Sequence, residues 1–125
     1  MLNSGKEGRF TLLLLMGVLV SSAIPANQSV AAEQFRKLSG KQIKSHIIGK
    51  QITDDVHWSE TYRKGGTIMS VDMGTDSHGS WTIKQDKLCV EKSAVKECYE
   101  IWLKGDEVQM RTDGSENLTG FVRAP

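Results

Sequence analysis

Asp76, Ser77 and His78 stand side by side, and these residue types serve both nucleophilic hydrolysis and metal ligation. Hydrolysis needs nucleophile, base and orienting carboxylate converging on one reacting atom. Three consecutive residues rarely reach that geometry, and the Gly-x-Ser-x-Gly turn that would expose a serine is missing. Metal ligation asks less of the chain. Asp76 and His78 are two donors in the polar segment Gly74 to Gly79, read as a flexible loop, with Asp72 close by. Asp54, Asp55 and His57 form a second cluster, and Met69 and Met73 would add soft sulfur for Cu(I). The plainer reading is that strand alternation buries the methionines while the aspartates shape turns. A metal carrier or small enzyme built on Asp76 and His78 is therefore the secondary reading.

Glu60 breaks a pattern instead of making one. It alternates with Trp58 and Tyr62, so a carboxylate shares a strand face with two aromatics. A carboxylate loses several kcal/mol of hydration when buried unpaired (roughly, from). Glu60 must then touch water at a rim, or pair with a lysine, an arginine or the tyrosine hydroxyl. In the second case Glu60, Trp58 and Tyr62 wall a pocket suited to a cationic or hydrogen-bonding ligand. No cofactor motif accompanies them.

Cys89 and Cys98 complete the reactive inventory. Their spacing is neither Cys-x-x-Cys nor a zinc knuckle, so a structural disulfide is expected. Positioning supports it. With Gln85-Asp86 as a two-residue turn, Ile83 faces Leu88, Trp81 faces Val90, and Thr82 and Cys89 take the other side. The next strand, Cys98 to Leu103, buries Tyr99, Ile101 and Leu103, which places Cys98 on the face of Cys89.

The elements around these residues follow from period and punctuation. Ser39 and Gln42 have capping-box spacing, Ile43 and Ile47 make an apolar stripe, and Gly49 closes a short helix. Lys50 to Thr53 reads as a first strand turning at Asp54-Asp55. A hairpin from His57 to Met73 turns at Gly65-Gly66, pairing Tyr62 with Met69, Glu60 with Val71 and Trp58 with Met73. Another spans Tyr99 to Thr112, pairing Leu103 with Val108 and Ile101 with Met110. Leu118 to Arg123 is the last strand. Trp81, Ile83, Leu88, Ile101, Leu103 and Val108 are the expected core. Trp102 falls on the opposite face, either shielding the cysteine pair or anchoring a partner. The fold class is all-β with a short N-terminal helix: a small antiparallel meander barrel, partly open, with a two-sheet sandwich as the alternative.

Residues 1–32 read as a signal peptide: Lys6 and Arg9, an apolar run from Phe10 to Val20, then small residues ending at Ala32, with Ala26 the other cleavage candidate. Residues 33–125 form one small β domain. It has equal numbers of basic and acidic residues, which speaks against nucleic acid as a partner. After cleavage no stable membrane span is expected. Export favours oxidation of the cysteine pair.

The order Leu38-Ser39-Gly40, Ile43, Ile48-Gly49, Lys64-Gly65-Gly66-Thr67, Gly79-Ser80-Trp81, Leu88-Cys89 and Cys98 resembles a family of small exported proteobacterial domains of unknown function. The resemblance runs from Leu38 to Arg111 and implies a periplasmic or secreted address, with no activity or catalytic residues attached. The function expected is a non-enzymatic binding or interaction module of the bacterial envelope, whose partner is a small ligand or another envelope protein.

Overall fold

A computed structural model of the protein describes residues 33–114 and 116–125, together with Gly17. The signal-peptide reading falls on residues outside those described. In chain order the elements are β1 (Arg36–Lys37), α1 (Gly40–His46), β2 (Gln51–Thr53), β3 (Trp58–Tyr62), β4 (Thr67–Asp72), β5 (Thr75–Lys84), β6 (Lys87–Lys92), β7 (Val95–Lys104), β8 (Glu107–Arg111) and β9 (Leu118–Arg123). Strands β2 to β9 are antiparallel to both neighbours, and β7 pairs with β8 to complete the ring. Eight strands therefore form a closed barrel, in which β8 meets β7 only along Glu100 to Lys104 and leaves the other edge of Val95 to Tyr99 unpaired among the described residues. β1 stays outside the ring and adds to β7 at Trp102 and Leu103, past the end of β6.

Tight turns set the meander. Met73-Gly74, Gln85-Asp86 and Ser93-Ala94 each place two residues at positive φ, the turn geometry that matches strand twist. Asparagine and glycine are the usual residues there. Met73, Gln85, Ser93 and Ala94 adopt it at a cost of about 1–2 kcal/mol each, and Asp86 with less strain. The Gln85-Asp86 turn holds the expected register, with Ile83 opposite Leu88 and Trp81 opposite Val90. Leu103 opposite Val108 and Ile101 opposite Met110 are also as expected.

One hairpin differs. Tyr62 pairs with Ile68, Glu60 with Ser70 and Trp58 with Asp72, a slip of one residue from the expected register. The cause is a three-residue loop: Arg63 N–H donates to Thr67 O, Gly66 N–H donates to Arg63 O, and Gly66 sits at φ 93°. A one-residue slip reverses every side chain of a strand. Ile68 and Ser70 are buried as a result, Met69 and Val71 face outward, and Met73 is exposed at a turn. The segment read as a loop is not one either. Thr75 onward is strand, continuing β5 past Gly79 to the Met73-Gly74 turn. Its polarity reflects exposure and not irregular backbone.

The core runs through the barrel as Ile52, Tyr62, Ile68, Leu88, Ile101 and Val108, all fully buried. Trp81 and Ile83 are only half-buried, because they lie towards the helix end of the ring. The Trp81 indole donates to Arg63 O at 2.7 Å. Arg111 covers the Trp102 ring at 4.1 Å, and the indole donates to Glu100 at 3.0 Å.

Helix α1 seals one end. Its capping box is complete, with Ser39 N–H donating to Gln42 Oε1 and Gln42 N–H donating to Ser39 Oγ. Ile43, Ile47 and Ile48 are buried against the barrel. Gly40 donates its N–H to Asp86 at 2.7 Å, and a Cβ there would meet Ile83 Cγ2 at 2.9 Å. The connections β3–β4, β5–β6 and β7–β8 lie at this end. Those joining β2–β3, β4–β5, β6–β7 and β8–β9 lie at the other, which α1 leaves open.

Cys89 and Cys98 are directly opposite on β6 and β7 and are joined, with Cα atoms 3.9 Å apart. The bond closes a loop with sequence separation 9. Replacing both cysteines by alanine should cost about 2–3 kcal/mol of stability, read from the urea midpoint. An unchanged midpoint would show that the turn at Ser93-Ala94 already holds the strands together.

Candidate functional site at the barrel mouth

The open end leads into a cavity of about 170 Å³ lined by Glu60, Val90, Lys92, Val95, Glu97, Tyr99, Met110 and Leu118. Strand alternation supplies these residues. Glu60 is central in β3, Val90 and Lys92 follow Leu88 on the inner face of β6, and Val95, Glu97 and Tyr99 do the same on β7.

Glu60 is 8% exposed and fully engaged. One carboxylate oxygen accepts from the Tyr62 hydroxyl and the other is paired with Lys92 Nζ. Lys92 reaches it across two intervening strands, over positions with little side chain. Gly79 of β5 lies directly opposite Lys92, and a Cβ on Gly79 would meet Lys92 Cγ at 2.8 Å and run into Glu91 O. Ser70 of β4 lies directly opposite Glu60. Glycine and serine thus leave a path for the lysine stem along the inner wall. This explains the glycine of the Gly-Ser-Trp segment.

Deeper and beside this pair, two phenols are held protonated. Burial pushes the Tyr62 hydroxyl well above its ordinary value, and the Glu60 charge adds to the effect. Burial also raises Tyr99, helped by its hydrogen bond to Glu97. Both remain donors at any physiological pH. The lining holds two carboxylates, one ammonium and a phenol, and no serine, cysteine or histidine. Such a set can hold and orient a ligand.

The expected site residues divide. Glu60 and Tyr62 are brought together, with Tyr62 buried beneath the cavity as a support to its floor. Trp58 is not part of the lining. It packs over Gly120, where a Cβ would be 3.2 Å from its ring. Asp76 and His78 sit exposed on the outer face of β5, opposite Val71 and Met69. Among the described residues no group of three or more His, Cys, Asp or Glu is placed to hold a metal. Lys92 and Glu97 escaped the sequence reading, although the signal was present, and Tyr99 was read as a buried apolar position. Extending the alternation of Leu88 and Val90 by two residues reaches Lys92. Running Tyr99 back two residues reaches Glu97.

The second cluster is a turn. Asp54 Oδ1 accepts from the N–H groups of Val56, His57 and Trp58 at 3.0, 2.7 and 3.0 Å, and Oδ2 lies 2.8 Å from His57 Nδ1. These bonds, led by that from Trp58, hold the Asp54 carboxyl well below the usual carboxylate range. A depressed value means that the charged form favours folding above the unfolded-state value, about 4. That contribution fades as pH falls through the folded value. Asp54→Ala should therefore be less stable than the parent at pH 6, with the gap narrowing steadily below about pH 4. A gap independent of pH in thermal melts would contradict this.

Comparison with known protein families, with curated proteins and with solved structures finds no match to this chain.

Proposed function

We propose that this chain is an exported, non-enzymatic binding module whose barrel mouth holds a ligand bearing a positive charge or several hydrogen-bond donors. One observation carries the reading: a buried carboxylate, Glu60, is kept at a cavity wall and braced by Lys92 and Tyr62. A hydrophobic pair of similar volume would often serve stability as well as this buried ion pair, so stability alone does not account for it. With Glu97, the cavity has one carboxylate beyond what Lys92 neutralises. Closed eight-stranded barrels are wide enough to hold one small ligand. The joined cysteines fit an oxidising compartment. The envelope address rests on the leader segment and the family resemblance. A carrier or enzyme at Asp76 and His78 has less support, since two exposed donors on an outer strand face make a poor site.

The test is titration of the purified domain with n-butylamine and agmatine, with n-butanol as neutral control, followed by amide chemical shifts. Glu60→Gln keeps the shape and removes the charge. It should weaken binding of the amines by about tenfold or more while leaving the fold intact. Equal binding of butanol and butylamine, or no shift at Val90, Lys92, Glu97 and Tyr99, would refute the proposal.

A further inference from the structure

Building on the proposed binding at the mouth, we infer that the positive charge is presented by a polypeptide: an extended basic segment of a partner protein that adds to the free edge of β7 and sends one lysine or arginine into the cavity.

Three independent features of the open end converge on this. The first is a vacant strand edge. β8 pairs only with Glu100 to Lys104 of β7, so among the described residues the stretch from Val95 to Tyr99 has β6 on one side and no strand on the other. Backbone donors and acceptors of this kind are a template that another extended chain can pair with. The second is the side-chain pattern of that same stretch. Val95, Glu97 and Tyr99 all line the cavity, so a segment laid along the edge runs beside its acidic wall. At about 170 Å³ the cavity is below the usual range for drug-sized ligands, about 300–1,000 Å³, and suits the end of a side chain.

The third feature is the rim. Among the described residues the exposed large hydrophobics are Val56, Met73, Val95 and Leu118. They come from the β2–β3, β4–β5, β6–β7 and β8–β9 connections or the strand residues next to them, and so all surround the mouth. A small free cation would not need Val56 or Met73, which lie outside the cavity lining. The charge around them sets the partner's sign. Residues 54–57, 72–78, 91–97 and 111–117 carry eight carboxylates against three lysines and arginines, and Arg123 pairs with one of the eight, Asp55, at 2.9 Å. An anionic lipid surface would be repelled by that end, so apolar side chains on a basic protein are what fit it. The opposite end is basic: residues 33–50, 63–66, 84–87, 104–107 and 123–125 hold eleven lysines and arginines against four carboxylates. A second copy of this chain is therefore the competing occupant.

The experiment uses three probes against residues 33–125: a ten-residue peptide alternating valine and threonine around one central lysine, the same peptide with norleucine in place of lysine, and N-acetyl-lysine amide. Affinity is read by fluorescence anisotropy or shift titration, and hydrogen exchange follows the amides of Val95 to Tyr99. The lysine peptide should bind at least about tenfold tighter than either control and slow exchange along that stretch. Glu97→Gln should weaken the lysine peptide and leave the norleucine peptide unchanged. If N-acetyl-lysine amide binds as tightly as the peptide, the polypeptide inference fails while the mouth remains a cation site. If none of the three binds, both readings fail. If sedimentation instead shows the domain joining end to end, with Val95 to Tyr99 protected in the assembly, the occupant is a second copy and the inference is overturned.

Discussion

Tyr62→Ala is expected to lower the stability of the barrel by about 3–5 kcal/mol, the range for emptying a fully buried aromatic position. Tyr62 has no exposed surface, and its ring lies among Ile52, Ile68 and Leu88 in one apolar cluster. Its backbone also ties the strand to the segment after the helix: Tyr62 N–H donates to Lys50 O at 3.0 Å and Gly49 N–H donates to Tyr62 O at 2.7 Å. Those bonds survive the substitution, so the loss measures ring and hydroxyl alone. Tyr62→Phe separates the two. It keeps the ring but leaves one oxygen of Glu60 without its donor, at a cost of about 1–3 kcal/mol. Urea unfolding followed by tryptophan fluorescence gives both numbers. Equal losses for the two variants would mean that the ring contributes little, contrary to its burial.

The second large effect lies across the cavity. Lys92→Met removes the ammonium and strands the Glu60 carboxylate in a site with 10% side-chain exposure. Breaking a buried pair from one side costs about 3–5 kcal/mol. Lys92 is itself about a third exposed, so water softens the loss to about 2–4 kcal/mol. Removing both charges should do less harm than removing one. The double variant Glu60→Gln with Lys92→Met is thus expected to be more stable than Lys92→Met alone. A double-mutant cycle reads the coupling directly. Simple additivity of the two losses would show that Lys92 and Glu60 do not depend on one another in solution.

Most of the fold was legible because local signals agreed. The capping box of Ser39 and Gln42, the alternation around the Gln85-Asp86 turn and the glycine at 105 each indicate the right element. The single strand-register error arose where two adjacent glycines, Gly65 and Gly66, allow either a two- or a three-residue loop. Nothing local to the strands decides between those loops. Met69, Val71 and Met73 looked like better core than Ile68, Ser70 and Asp72, yet the loop geometry prevailed. The buried face of β4 therefore carries Ser70, which faces Glu60. The candidate site was half legible. Glu60 stood out as a charge among aromatics, but its partner Lys92 is 32 residues away in sequence. Only the curvature of the sheet across β4 and β5, with Gly79 clearing the way, brings them into contact. Asp76 and His78 drew attention by being adjacent, and adjacency along an exposed strand says nothing of convergence.

The seal made by α1 has a kinetic consequence. With Ile43, Ile47 and Ile48 packed into one end, the barrel is a blind cup and not a conduit. Whatever enters at Val95 and Leu118 must leave by the same route, so nothing can be passed through the protein from one side to the other. Release cannot be driven by a second molecule arriving from behind. For the ligand and partner proposed above, release would have to wait for the occupant to let go, or for a competitor to invade the strand edge a few residues at a time. Residence time of such an occupant would then be governed by the rim alone, and a partner that loosens the rim would discharge the cup without disturbing its core.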